Sequence, residues 1–173
     1  CGTVRRFRGN HHCVRSVAFI SESPPVLAVG SEDGTLTLWD VQSRTGRQLE
    51  GHKSAVDSLV VSPDETALFS GSFDNTIRVW DLTDLDASPS VLTGHAGPVL
   101  HLLISQNGRT LVSCGGEGNI RLWDTRSLKT KAVLGRWAPV SQLAWSQGET
   151  VIASAHYGGA NVRLWRSPKI GNK

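Results

Sequence analysis

Short apolar bursts, each stopped by turn-forming residues, run the length of the chain. The pattern is clearest between residues 56 and 93. Apolar positions crowd into Val56–Val61, stop at Ser62-Pro63-Asp64, resume over Ala67–Gly71 and stop again at Asp74-Asn75. From Thr76 to Asp81, Ile77 and Val79 alternate with Arg78 and Trp80. A polar loop, Thr83–Pro89, then leads to Ser90–Thr93. A period of two over four to eight residues predicts β-strands. The breaks suit turns, because proline pre-sets φ and aspartate bonds nearby backbone amides. This stretch therefore predicts four strands, a to d in chain order.

The same order recurs along the chain. Further a strands are predicted near Val14–Ile20, Val99–Ser105 and Val140–Trp145, and b strands near Val26–Gly30, Thr110–Cys114 and Val151–Ser154. The c strands fall near Thr35–Asp40, Asn119–Asp124 and Asn161–Trp165, and the d strands at Arg47–Glu50 and Lys129–Leu134. Thr3–Arg8 reads as a d strand with no partners before it, and the last unit stops after its c strand at Arg166-Ser167-Pro168. Sixteen strands result: one d, three full sets and one abc set. The c strands spell nearly one phrase four times: GSEDGTLTLWD, GSFDNTIRVWD, GGEGNIRLWD and GGANVRLWR. Their tryptophans, Trp39, Trp80, Trp123 and Trp165, are separated by 41, 43 and 42 residues. A fixed period of this length marks a unit that cannot bury its own apolar face, so neighbouring units must stack.

These phrases, with Gly51-His52 and Gly94-His95 upstream, resemble the WD-repeat family over about Thr3 to Trp165. The resemblance implies an all-β fold, a β-propeller of the WD-repeat type with about four four-stranded antiparallel blades. They are placed at about 9–50, 51–93, 94–134 and 135–166, with the lone strand at 3–8 completing the last blade. Chain 1–173 is then one propeller domain or a fragment of one. The family is built mostly around seven blades, so four imply an open arc of a larger ring. An open arc exposes strand edges and apolar faces that need cover.

The resemblance also implies a buried hydrogen-bonded tetrad in each unit. A Trp indole N–H bonds a Ser or Thr of strand b, that hydroxyl bonds the His of Gly-His, and the His bonds an Asp between strands b and c. Trp80, Ser70, His52 and Asp74 match every member. In unit three Trp123, Ser113 and His95 match, and Glu117 replaces Asp. Unit one keeps Asp33 and Trp39 but has Asn10 at the His position and Val29 at the Ser position. Unit four keeps at most Trp165 and Ser154, with Arg136 and Gly159 at the His and Asp positions; His156 and Tyr157 read as an irregular insertion before strand c. A His between a carboxylate and a hydroxyl invites a catalytic reading. Repetition of the same order in several units argues for structure instead, and units two and three are expected to be the stiffest.

Partners of this family dock on one end of the blades. By position the candidates are Cys13, Arg15, Glu32, Ala55, Asp57, Phe73, Pro98, Leu100, Gly116, Pro139 and Ser141. Phe73 beside Arg15 and Asp57 is the expected aromatic anchor; the competing reading is that Phe73 merely covers the tetrad. Residues Leu111–Arg126 also resemble the motif by which some WD-repeat proteins dock onto the adaptor of a cullin–RING ubiquitin ligase, with Arg126 as the discriminating position. The competing reading is a solvated loop arginine. Trp145 is expected in the core, and Trp137, in a loop, is a candidate interface residue.

Composition narrows the choice further. The 173 residues carry a net charge of +3, with Arg5, Arg6 and Arg8 clustered near the start. No aromatic interleaving supports base stacking there, so direct nucleic-acid binding is the lesser reading. No run of 18 apolar residues spans a membrane. Three cysteines, Cys1, Cys13 and Cys114, form no metal-ligand spacing and read as reduced thiols of a cytoplasmic or nuclear protein. Neither a phosphate loop, a zinc motif nor a nucleophile elbow is present, so no cofactor, metal or catalytic residue is expected. A chain that starts at Cys1 and lacks Met points to a piece of a longer protein. The expected function is a non-enzymatic scaffold for peptide or protein partners. The alternatives are a substrate receptor of a ubiquitin ligase and a scaffold in a ribonucleoprotein complex.

Overall fold

A computed structural model of the protein describes residues 12–135, 138–158 and 162–166. The described residues are all-β, with fifteen strands in four antiparallel sheets and no helix. The first sheet holds β1 (Val14–Glu22), β2 (Pro25–Ser31), β3 (Leu36–Asp40) and β4 (Gly46–Leu49). The second holds β5 (Val56–Val61), β6 (Ala67–Ser72), β7 (Ile77–Asp81) and β8 (Ser90–Leu92). The third holds β9 (Val99–Ile104), β10 (Thr110–Gly115), β11 (Ile120–Asp124) and β12 (Thr130–Leu134), and the fourth β13 (Val140–Trp145), β14 (Val151–His156) and β15 (Val162–Arg166). The expected strand at 3–8 lies outside the described residues, as do Asn10, Arg136, Trp137 and Gly159.

Every sheet is a meander, so strands adjacent in sequence are adjacent in space. Local chemistry enforces the turns. Asp40 Oδ1 accepts from the amides of Gln42 and Ser43, at 2.7 and 2.8 Å. Asp74 Oδ1 accepts from the Thr76 amide at 3.0 Å and its hydroxyl at 2.6 Å. Asn75 takes φ of 69°, a left-handed conformation that asparagine tolerates. One end of each sheet therefore carries the b–c turns and the opposite end the a–b turns.

The sheets stack in chain order through three apolar layers. Ile20, Ala28, Leu36, Leu38 and Leu49 of the first sheet meet Leu68 and Trp80 of the second. Phe69, Ile77 and Leu92 of the second meet Val99, Leu102, Leu111 and Trp123 of the third. Val112, Cys114, Ile120 and Leu122 of the third meet Val140, Leu143 and Ile152 of the fourth, with Trp145 and Trp165 packed alongside. Each of these layers is thus closed by the repeat tryptophan of the following sheet. Inter-sheet hydrogen bonds tie the inner strands: Ser16 Oγ donates to the Val56 carbonyl at 2.7 Å, and the Leu102 amide donates to Ser58 Oγ at 2.9 Å.

The described residues form a partial propeller whose first and fourth sheets each leave one face uncovered, and equivalent positions show it. Val56, Val99 and Val140 are fully buried, whereas Val14, at the same register in the first sheet, is 52% exposed. Leu38 and Leu122 are buried against the next sheet, whereas Leu164 in the fourth is 72% exposed. The repeat makes both faces of every sheet apolar, and among the described residues only the second and third sheets have a neighbour on each.

Candidate interaction site

Unit two shows how the repeat anchors the end of the stack that bears the b–c turns. Trp80 Nε1–H donates to Ser70 Oγ at 2.8 Å. Ser70 Oγ lies 2.7 Å from His52 Nε2, and His52 Nδ1 lies 2.8 Å from Asp74 Oδ2. Only one proton arrangement serves all four groups. The hydroxyl accepts from the indole and donates to Nε2, so the ring carries its proton on Nδ1 and gives it to the carboxylate. Burial pushes the His52 pKa below its ordinary 6.5, in keeping with a neutral ring. Burial acts to raise Asp74, but hydrogen bonds from Thr76, His52 and the Lys53 amide outweigh it and hold the carboxyl at about 2.

Both shifts have the same consequence. The unfolded His52 takes up a proton below about pH 6.5 while the folded one resists. The unfolded Asp74 takes one up near pH 3.8 while the folded one holds out to about 2. Stability therefore falls on acidification in two windows, below pH 6.5 and again between about 4 and 2, with Asp74 contributing on the order of 1–2 kcal/mol after screening. Urea midpoints at pH 7.5, 5.5 and 3 should fall in that order; a flat profile from 7.5 to 5.5 contradicts a buried neutral His52.

Unit three repeats the chain. Trp123 Nε1–H donates to Ser113 Oγ at 2.8 Å, His95 Nε2 lies 2.6 Å from that hydroxyl, and His95 Nδ1 bonds Glu117 Oε1. The longer Glu117 takes the place of aspartate, and burial is again outweighed by the His95 bond, which lowers its pKa. In unit one Asp33 bonds its own turn through the Thr35 amide and hydroxyl, and the nearest described imidazole is His12, 3.7 Å away and exposed. Val29 and Trp39 are buried.

Unit four departs from the sequence reading. Trp165 Nε1–H donates to Ser154 Oγ at 2.9 Å, and Ser154 Oγ lies 2.9 Å from His156 Nε2. His156 Nδ1 lies 3.0 Å from the carbonyl of Ala138. His156 belongs to no irregular insertion: it is the last residue of β14, two positions after Ser154. An imidazole from strand b thus occupies the role taken elsewhere by the Gly-His imidazole, with a backbone carbonyl replacing the carboxylate. The missed signal was Ser-x-His at the strand end, which places both side chains on one face.

Above these chains each of the four a strands carries an extra residue next to its first. Pairing of the a and b strands skips Arg15, Asp57, Leu100 and Ser141 in the four sheets. A bulge re-aims the side chain it carries, here at the same point in every repeat. Arg15 and Asp57 meet across the first and second sheets, Nε to Oδ1 at 2.7 Å and Nη2 to Oδ2 at 3.3 Å, a bidentate pair. The Arg15 carbon Cζ stands 5.9 Å from the centre of the Phe73 ring, and Phe73 is 39% exposed. Phe73 is held in place by its own amide, which donates to the Ala55 carbonyl at 2.9 Å. Glu32 and Pro139 are exposed, Leu100, Pro98 and Gly116 half-buried, and Ala55 buried. Ser141 Oγ is turned to the Ala155 carbonyl at 3.3 Å. Arg15, Asp57 and Phe73 therefore form one cluster, and Leu100 and Ser141 sit at the same level on the next two sheets.

Other candidate chemistry is sparse. Among the described residues no group of three His, Cys, Asp or Glu side chains could hold a metal, and no helix is long and apolar enough to cross a membrane. Cys114 is buried, its thiol pushed up to about 12 by burial, while Cys13 is exposed. Trp145 is half-buried against the third layer. Arg126 is exposed at the opposite end of the third sheet, its backbone amide donating to Asp124 Oδ1 at 3.2 Å.

Repeated sheets closed by a buried indole, and an indole–hydroxyl–imidazole chain in the second, third and fourth of them, define the class. The chain belongs to the family described as WD domain, G-beta repeat, whose model matches residues 1–40, 43–81 and 87–124. It is 34% identical over 82 residues to the small ribosomal subunit protein RACK1 of Dictyostelium discoideum, covering 43% of this chain and 25% of that protein. It is 34% identical over 79 residues to the U5 small nuclear ribonucleoprotein 40 kDa protein of the same organism, covering 46% of this chain and 22% of that one. To the nuclear distribution protein nudF of Emericella nidulans it is 37% identical over 93 residues, covering 51% of this chain and 20% of that one. The chain thus spans a quarter or less of the length of these relatives.

Proposed function

We propose that this chain is a protein-interaction scaffold without catalytic activity, and that its working surface is the end of the sheets bearing Phe73, Arg15 and Asp57. The single observation that carries this reading is the held aromatic. Phe73 presents part of its ring to solvent, while a cross-sheet ion pair and a backbone hydrogen bond fix its position. A rigid exposed ring costs little ordering entropy when a partner covers it, and such residues dominate binding energy at interfaces. Family membership supports the same reading, since WD-repeat proteins generally act as non-enzymatic platforms.

The test is capture of protein partners from lysate by the tagged chain, quantified for the wild type, Phe73→Ala and Asp57→Ala. Loss of Phe73 should weaken capture of its strongest partner by about 2 kcal/mol, roughly thirtyfold, with melting little changed. Unchanged capture by Phe73→Ala would remove this cluster from the interface.

A narrower reading follows the relatives whose names place them in a ribosomal subunit and a small nuclear ribonucleoprotein. On it the partners are proteins of RNA-containing complexes, in the cytoplasm or nucleus, and capture should survive nuclease treatment. Docking on a ubiquitin-ligase adaptor through Arg126 is narrower still; it requires capture of the adaptor by the wild type and not by Arg126→Ala.

A further inference from the structure

At the end of the stack opposite Phe73, the second and third sheets part around a cleft of about 250 Å³. Its second-sheet wall is Phe69 and Val79 with the turn residue Asp64, and its third-sheet wall carries Arg109 and Arg126. The volume is below the range of clefts that hold whole cofactors or drug-sized ligands, and matches one or two side chains.

The two arginines set this cleft apart. Among the described residues their guanidinium groups make no hydrogen bond or ion pair; only their backbone atoms are engaged, with Asn107 Oδ1 receiving the Arg109 amide at 3.0 Å and Asp124 Oδ1 the Arg126 amide at 3.2 Å. Neither nearby carboxylate pairs with them among the described residues. Asp124 pairs with Lys131 Nζ at 3.1 Å, and Asp64 Oδ1 accepts from Ser62 Oγ, the Thr66 amide and the Thr66 hydroxyl. The repeat itself does not call for cations here. Thr66 and Thr150 stand at the position of Arg109, and Gln42 and Thr83 at the position of Arg126. Two guanidinium forks on one wall, facing the half-buried Val79 and the buried Phe69 on the other, are complementary to an aliphatic side chain followed by carboxylates.

We propose that this cleft binds an acidic peptide segment of a partner protein, seating one aliphatic side chain beside Val79 and pairing adjacent carboxylates with Arg109 and Arg126. The site lies on the opposite end from Phe73 and does not depend on it. A nucleic-acid strand fits less well: Phe69, 2% exposed, offers no face for base stacking.

The experiment is titration of the isotope-labelled chain with an acetylated Ala-Leu-Glu-Glu-Ala peptide, followed by NMR of the amide and arginine Nε–H resonances. The control peptides are Ala-Leu-Lys-Lys-Ala and Ala-Gly-Glu-Glu-Ala, and a uridine oligonucleotide is titrated separately. The expected result is saturable shifts at Asn107, Arg109, Thr125 and Arg126 with the first peptide alone. Charge reversal at either arginine, Arg109→Glu or Arg126→Glu, should weaken binding at least tenfold, while Phe73→Ala leaves it unchanged. Both arginines are exposed, so the variants should melt like the wild type. No saturable shift, equal response to the control peptides, or tighter binding of the oligonucleotide to the same resonances each overturns the proposal.

Discussion

Replacing Trp80 with alanine should cost about 3–5 kcal/mol of unfolding free energy, the usual range for removing a buried tryptophan. The residue is 5% exposed and lies in the layer that joins the first sheet to the second, against Ala28, Leu36 and Leu38. Two losses combine. The indole leaves a cavity that rigid strands on both sides cannot collapse to fill. Its N–H also leaves the Ser70 hydroxyl, so the chain through His52 to Asp74 loses its buried donor. A domain of this size has about 5–15 kcal/mol in all, so the melting temperature should fall by roughly 10 °C or more. Trp80→Phe reduces the first term: it keeps an aromatic ring in the layer with a smaller cavity, and loses the hydrogen bond, worth about 1–2 kcal/mol. Trp165→Ala should cost less than Trp80→Ala, because Trp165 is only half-buried, in a sheet that among the described residues has a neighbour on one face only. Urea titration of the three variants measures this order. A loss below 1 kcal/mol for Trp80→Ala would show that the layer is not what holds the sheets together.

Gly115→Ala should cost about 1–3 kcal/mol or more, far beyond an ordinary surface change. A Cβ there would overlap the Pro98 carbonyl oxygen and stand 2.8 Å from Glu117 Oε2. The first contact is backbone and cannot rotate away. That carbonyl also accepts from the Gly116 amide at 2.9 Å, so moving it breaks the bond that joins the d–a loop to the b–c turn. Displacing Glu117 disturbs its bond to His95 as well. Gly148→Ala is the matched control, because nothing lies within 4 Å of a Cβ at that turn position. The control should fall within about 0.5 kcal/mol of wild type. Equal melting of the two variants would mean that the third sheet's loop is looser than its hydrogen bonds imply.

Much of the architecture was legible in the residues because the repeat writes it several times. Val56–Val61, Ala67–Gly71 and Val140–Trp145 read as strands from short apolar bursts set between turn residues, and the observed spans differ by no more than a residue. The tetrad of unit two was legible because Gly-His, Ser, Asp and Trp-Asp each stand at a fixed offset. Unit four was not, since its imidazole comes from His156 on the strand rather than from the loop. A hydrogen bond recruits whatever donor lies within reach, and reach is a property of three dimensions. The meeting of Arg15, Asp57 and Phe73 was anticipated only as a neighbourhood; the bulges that aim Arg15 and Asp57 have no one-letter signature.

Alternation, turn chemistry and spacing determined by themselves that this chain folds as repeated four-stranded units with apolar faces on both sides, because those choices are made among residues a few positions apart. Contacts between residues about forty positions apart were decided only in the folded stack. They set which ion pair holds Phe73, and where two arginines face an apolar wall. Such contacts depend on how whole sheets lie against one another, and a pattern that repeats in every unit cannot single out the unit in which they occur.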